Sequence, residues 1–457
     1  MIENKPVTFK KSIKSSGYGL LHDKPTLGQM PKGPKQLSNQ PKSSAPGTRA
    51  LTKQYPVDCG PVIRLQEQHC MPKNQPIHQG AILRIAYSPD GSRLATVSAD
   101  KSARALRLPI SKHKGEGSDL IGHNAAVMDV AWSHDGVSLL TASLDRTAKL
   151  WSLGRADPLI NFSHVNHQPA PFSAAGGSSS FSLNPAGVPG VSAGANASSS
   201  VRKGGGVNSG SATGGGGGSH NNPSFATEVK SAKFMHLDRF ACLAVGSKLH
   251  MYKYGIGALS KSTDLEKQKA TNTYRLLAAI PTSGQSITAF AAANNVLSHV
   301  ALVSGSNRSL EVLDLGECRP CRVIQDAHER PIHTISLHDV SPFASHPAAA
   351  HELFVTAAID TPLKLWDLRS QRCVRVFAGH VNRQQSLGMA LSPCMRWLAS
   401  GSEDRTACVW DLGTGLMVHK LRGHPDAVTD VAWSPLHPQL ATACTDGHIR
   451  FFTEEIV

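Results

Sequence analysis

At five places in this chain an acidic residue stands six positions ahead of a large apolar one: Asp100/Leu106, Asp145/Trp151, Asp360/Trp366, Asp404/Trp410 and Asp446/Phe452. A histidine precedes each Asp by 22 to 32 residues, at His78, His123, His328, His380 and His424. A catalytic site occurs once in a chain, whereas an architectural device recurs once per structural unit. His78 and His123 lie 45 residues apart, and His380 and His424 lie 44 apart. A period of about 40–45 residues is the length of one four-stranded propeller blade. The spacing therefore predicts a repeat array.

Within each unit, strands follow from alternation and turn chemistry. Ala81–Tyr87 and Arg93–Ser98 flank Ser88-Pro89-Asp90-Gly91, where Pro presets φ and Gly supplies a positive φ. His123–Leu153 repeats this layout with Ser133-His134-Asp135-Gly136, and His380–Leu412 and His424–Phe452 are equally clear. The middle is fainter. Residues 228–254 keep the alternation (Val229–Phe234, Phe240–Val245, Leu249–Tyr252) without His, Asp or Trp. Residues 286–315 end in Leu310–Leu315, with Asn307 six positions before Leu313 in the place of the Asp. His328–Leu368 carries an extended loop around Asp339–Glu352.

Seven units result. The last stops after its third strand, Ile449–Thr453, while an unpaired strand candidate, Pro61–Leu65, precedes the first. Pairing the two would close the ring and remove exposed strand edges. The predicted fold is all-β, a single seven-bladed propeller. Its organisation is a disordered basic tail over 1–60, the closing strand and blades 1–2 over 61–165, a flexible Gly/Ser-rich insertion over 166–227, and blades 3–7 over 228–457.

Charge needs placing before it is used. The net charge is +14, and residues 1–56, with nine Lys and one Arg against Glu3 and Asp23, hold +8 of it. That tail offers an electrostatic route to RNA or acidic partners, but lacks the aromatic-basic interleaving of a nucleic-acid module, so a solvated tail is the simpler expectation. No apolar run of 18 residues is present, which predicts no membrane span. Nine scattered cysteines and an N-terminus without an apolar stretch point to a reducing cytoplasmic or nuclear setting.

Leu398–Asp411, with Ser402, Asp404 and Trp410 in it, and Gly423-His424 with its following strand resemble the WD40-repeat family. The resemblance implies a β-propeller whose His, Ser/Thr, Asp and Trp form a hydrogen-bonded tetrad in each complete blade. Blade 2 would use His123, Ser143, Asp145 and Trp151; blade 6 would use His380, Ser402, Asp404 and Trp410. Blade 5 has Ala358 at the Ser position, and blades 1 and 7 have Leu106 and Phe452 at the Trp position, so their networks are expected to be incomplete. Unsatisfied buried polar groups cost about 1–3 kcal/mol each, so these sets are read as structural rather than catalytic.

Catalytic signatures are weak. His328-Glu329-Arg330-Pro331-Ile332-His333 places its histidines at i and i+5 with a Pro between, not at the i, i+4 spacing of a zinc-binding helix. Cys318-Arg319-Pro320-Cys321 is a lone pair without a second pair to complete a metal site. No phosphate loop, nucleophile elbow or dinucleotide fingerprint occurs. The expectation is therefore no catalytic residue, cofactor or metal, and a scaffold for protein partners. Candidate partner-binding residues are Lys101, Arg146, Glu403 and Arg405 beside the turn Asp positions. A second candidate is Trp366-Asp367-Leu368-Arg369, which resembles the WDxR element of cullin-4 ubiquitin ligase receptors, Asp367 and Arg369 supplying the adaptor contact.

Overall fold

The computed structural model describes residues 64–65, 76–108, 117–163, 224–257, 272–295, 299–337 and 352–453. The tail, the body of the Gly/Ser-rich insertion and most of the loop around Asp339–Glu352 lie outside the described residues. What is described is all-β: seven antiparallel four-stranded sheets. Blade 1 comprises Ile82–Tyr87, Arg93–Ser98, Ser102–Arg107 and Gly117–Ile121. The first three strands of blades 2 to 6 begin at Val127, Val229, Ile287, Ile332 and Met389, and blade 7 begins at Val428.

Blade 7 takes its outer strand from the other end of the chain. Arg64 pairs with Thr453 and Leu65 with Phe452, which closes the ring as expected from the sequence; the rest of the expected strand, 61–63, lies outside the described residues. Blade 3 gains an outer strand, Thr273–Pro281, that lies beyond the 228–254 read for it. At the end of the insertion, Phe225 is 1% exposed and its N–H donates to the Arg146 carbonyl at 2.9 Å. The flexible reading therefore stops short of this residue.

The second strand of each blade is covered on both faces, which is why these segments read as runs of small and apolar residues such as Leu94-Ala95-Thr96-Val97. Seven apolar clusters fill the seven seams between neighbouring blades. The seam between blades 2 and 3 is aromatic: Phe162, Phe225 and Phe234 pack with Tyr252, Tyr254 and Tyr274, half of the chain's six tyrosines. Outer strands are exposed, and in blades 3 to 6 each carries a bulge, at Leu277, Cys321, Val374 and Val418. A bulge disrupts the row of unpaired backbone groups and so discourages edge-to-edge pairing.

Turn chemistry follows the sequence closely. Gly91 (φ 66°) and Gly136 (φ 69°) donate back to Ser88 and Ser133 in the first hairpins of blades 1 and 2. In blade 6 the same position is Met395 at φ 54°, a conformation that glycine adopts without a Cβ penalty.

Candidate functional site

Antiparallel strands sort the loops onto two rims. The turn between second and third strands lies at the same end as the segment that enters the blade, and the other two turns lie at the opposite end. The repeated His and Asp therefore share one rim, here called the entry rim. Asp367 and Arg369, in the turn after the third strand of blade 5 (Leu363–Asp367), belong to the opposite rim. The two candidate partner sites are thus on different faces.

Blade 2 holds the fullest network. His123 Nδ1 lies 2.8 Å from Asp145 Oδ2, and His123 Nε2 lies 2.7 Å from Thr141 Oγ1. The Trp151 indole N–H donates to the same Thr141 hydroxyl at 2.9 Å. An ionised carboxylate only accepts, so Nδ1 carries the imidazole proton and Nε2 accepts from Thr141. The bridging hydroxyl is Thr141, not the expected Ser143. Ser143 instead accepts from Asp145 N (3.1 Å) and donates to the Ala126 carbonyl (2.9 Å). The imidazole enters from the rim, so its Nε2 reaches two residues deeper along the strand than the turn.

The other blades vary this arrangement. In blade 1, His78 reaches Thr96 (2.8 Å), Asp100 (3.1 Å) and Ser102 (2.9 Å), with no indole opposite. In blade 5, Thr356 bridges His328 (2.7 Å) and Trp366 (2.8 Å), so Ala358 leaves no gap in the bridge. Asp360, however, has φ 57°, and Thr361 takes its place beside His328 Nδ1 at 3.0 Å. Pro362 bars the residue before it from helical conformations, which shifts the left-handed position back onto Asp360.

Blade 6 corrects the sequence reading most. His380, Ser402, Asp404 and Trp410 do not form a tetrad: both His380 nitrogens are buried without a partner, and Trp410 donates to the Ala378 carbonyl at 3.1 Å. Ser402 exchanges hydrogen bonds with the backbone of Val381, and Asp404 engages Thr406 and Lys420. The residue at the bridging position is Ser400, which turns to the Gly401 carbonyl at 3.1 Å. Serine lacks the β-branch that restricts threonine's χ1. In blade 7, His424 keeps Thr442 (2.6 Å), but Asp446 lies 3.2 Å from His448 instead. In blade 4, Asn307 accepts from Ser309 (2.7 Å) and donates to Ser283 (3.0 Å), standing in for the Asp.

A hydroxyl four positions before the turn Asp recurs in all five units, at Thr96, Thr141, Thr356, Ser400 and Thr442. That spacing was the available signal for the bridging residue.

Electrostatics place these groups in the framework. Burial holds the His123 imidazole below its ordinary pKa despite Asp145 beside it. Burial would raise Asp145, but hydrogen bonds from His123 and Thr147 outweigh it and keep the carboxyl well below the usual range. The pair is thus neutral imidazole with carboxylate, not an ion pair. Burial likewise lowers His328 to about 4. His328 and His333 are engaged separately, His333 with Thr334 and Asn382 at 3.0 Å each, rather than converging on one point. Cys318 lies in a turn at φ 55°, and Cys321 is exposed on the outer strand of blade 4.

Of the rim candidates, Lys101, Arg146 and Arg405 are exposed and have φ of 73°, 65° and 66°. The preceding Asp braces each turn by accepting the backbone N–H two residues on, as from Thr147 at 2.9 Å. Arg308, at φ 65°, occupies the same position in blade 4 and was not singled out from the sequence, because Asn307 replaces the marker Asp. Glu403 is committed elsewhere. Its Oε1 accepts the N–H groups of Arg383, Gln384 and Gln385 at 2.7–3.0 Å, so it shapes the entry loop of blade 6. On the opposite rim, Arg369 is 60% exposed at its side chain and pairs with Asp367 and Glu352.

Comparison with known proteins matches residues 72–105, 116–152, 371–411 and 415–453 to the family described as WD domain, G-beta repeat. Each of the latter three stretches begins on or just before the outer strand of one blade and ends in the third strand of the next, so a sequence repeat spans two neighbouring blades. Human coronin-7 is 36% identical over 121 residues, 25% of this chain and 13% of that protein. The orangutan (Pongo abelii) U5 small nuclear ribonucleoprotein 40 kDa protein is 35% identical over 81 residues, 17% of this chain and 23% of that protein. The Arabidopsis thaliana WD repeat-containing protein ATCSA-1 is 37% identical over 103 residues, 22% of each chain. In each case the match spans under a quarter of the relative's length.

Proposed function

We propose that this chain, a seven-bladed propeller carrying WD40 repeats, serves as a non-enzymatic scaffold that docks protein partners on its entry rim. The observation that carries this reading is the set of exposed side chains at Lys101, Arg146 and Arg405, each raised on a left-handed residue braced by the neighbouring Asp. A rigid turn presents a side chain with little ordering cost on binding, and Arg is enriched at binding hot spots. His78, His123, His328 and His424 are committed to hydrogen bonds within their blades, as is Asp145, which argues for a framework role. Reversing Arg146 and Arg405 to Glu together is expected to reduce partner recovery in cellular proximity labelling by tenfold or more, with the thermal midpoint unchanged. Undiminished recovery would overturn the docking site.

A second reading rests on the exposure of Arg369: a contact with the cullin-4 ligase adaptor on the opposite rim through Asp367 and Arg369. Purified adaptor is then expected to bind the intact chain and to lose binding with Arg369→Ala. Equal binding by both proteins removes this reading. An association with RNA through residues 1–60 rests on their basic charge alone.

A further inference from the structure

The chain does not tie the seven seams equally. Short segments join neighbouring blades across most of the ring, such as 122–126 between blades 1 and 2 and 282–286 between blades 3 and 4. Two seams differ. Between blades 2 and 3 the chain runs through 163–228, and the chain that enters blade 1 comes from Arg64–Leu65, which joins the inner strands of blade 7 by strand pairing with Thr453 and Phe452 rather than by a short connecting segment. These two seams divide the ring into blades 1–2 and blades 3–7.

Each of the two seams carries a buried carboxylate at the same position of an inner strand. Asp430 of blade 7 is 4% exposed and accepts the Ile85 N–H of blade 1 at 2.7 Å, with Arg84 at 3.5 Å. Asp129 of blade 2 is 7% exposed and accepts the Ala232 N–H of blade 3 at 3.2 Å, the Ser231 hydroxyl, and Lys233 Nζ at 3.0 Å. Among the described residues, ion pairs between different blades occur at these two seams and at no other. Backbone N–H groups donated to a carboxylate of another blade follow the same rule, the third case being His134 to Asp238 at 2.7 Å, again between blades 2 and 3. The equivalent inner-strand positions of blades 4, 5 and 6 are Ala289, Thr334 and Gly388. Gly388 matters here because a Cβ would collide with the Asp430 carboxylate.

We infer that the propeller is a two-part ring, in which Asp129 and Asp430 are latches that replace chain connectivity at the two seams the backbone leaves loosely tied. Where short segments join blades, the chain itself keeps neighbours at high effective concentration, and neutral contacts suffice. Where it does not, charge-assisted hydrogen bonds donated by the next blade's backbone N–H groups to a desolvated carboxylate supply both strength and register. Arg84 extends the second latch across the central channel, donating to Thr334 of blade 5 at 2.8 Å. Opening of the ring is confined to these two seams, with blades 1–2 moving as a unit against blades 3–7.

Hydrogen exchange of the full chain tests this directly. Asp129→Ala is expected to accelerate exchange in Val127–Trp132 and Val229–Met235 by at least about tenfold. Asp430→Ala does the same for Ile82–Tyr87 and Val428–Trp433. Ser304→Ala, which removes a neutral bond to the Ile332 carbonyl at the continuous seam between blades 4 and 5, leaves its own seam within about threefold of the parent. If either alanine variant fails to fold, Lys233→Met and Arg84→Met keep the carboxylates and are expected to give the same localised pattern at smaller amplitude. Exchange that rises evenly around the ring, or a seam between blades 4 and 5 that opens as far as the latched ones, overturns the two-part ring. So does a localised response that is absent from all the folding-competent variants.

Discussion

Thr141→Val is expected to cost the ring about 2–5 kcal/mol, while Ser143→Ala costs roughly 1 kcal/mol. Valine has the shape of threonine without the hydroxyl, so the substitution leaves packing intact and isolates the polar effect. The hydroxyl serves two buried groups at once, His123 Nε2 and the Trp151 indole N–H. The His123 side chain and Trp151 have no solvent exposure, so neither group can turn to water as a substitute. Each orphaned group carries its own desolvation cost of about 1–3 kcal/mol. Ser143 lies nearer the rim, where its bonds to Asp145 N and the Ala126 carbonyl brace a turn that Thr147 also supports. Urea unfolding of both variants measures the ranking. A loss for Ser143→Ala equal to that for Thr141→Val would show that the deeper hydroxyl does not bridge the network.

Lowering the pH from 7 to 4.5 is expected to lower the unfolding midpoint steeply. Burial depresses six imidazoles, His78, His123, His328, His333, His380 and His424, with His328 at about 4 and both His333 and His424 at about 3. A group whose folded pKa is depressed contributes stability that is present above its unfolded value and lost as pH falls toward the folded one. For these histidines the loss begins near the ordinary value of 6.5. One pKa unit is about 1.4 kcal/mol, so several such groups together reach the order of a domain's whole stability of about 5–15 kcal/mol. Asp430 has the opposite sign. Burial raises it to about 6, against the opposing pull of Arg84, so its contribution is present at low pH and is lost as pH rises through 6. Between about pH 4 and 6 it therefore offsets part of the histidines' effect, and stability is expected to rise to a plateau near pH 7, where the histidines are neutral and Asp430 is largely ionised. Asp430→Asn removes that offset and should steepen the loss between pH 6 and 4.5. Thermal melts followed by circular dichroism across this range decide the matter, and a midpoint unchanged between pH 7 and 4.5 refutes the histidine assignment.

How much of this was legible in the sequence depends on the range of the interaction involved. Pro89-Asp90-Gly91 and Ser133–Gly136 specify their hairpins through neighbouring residues, so strand positions followed from the sequence directly. The network of blade 2 is legible in its ends, His123, Asp145 and Trp151, but its middle, which the family resemblance puts at Ser143, is Thr141, because the imidazole reaches deeper along the strand. Blade 6 shows the reverse case. Its sequence carries every marker, yet the structure leaves His380 without a partner, because one serine rotamer sends the bridging hydroxyl elsewhere. Glu403 looked free beside its turn, and its three backbone donors in 383–385 appear only once the entry loop has folded over it.

By itself the sequence determined the number of blades, most of their strands and the closure of the ring between its two ends. Those properties depend on periodicity and turn chemistry, which act over a few residues and repeat. Tertiary structure alone decided which hydroxyl bridges each network, which rim each exposed residue occupies and which seams bear charge. Arg84 and Thr334 meet across 250 positions of chain, and Asp430 meets Ile85 across 345. Such contacts are set by how closely two packed blades approach, and no local pattern encodes that distance.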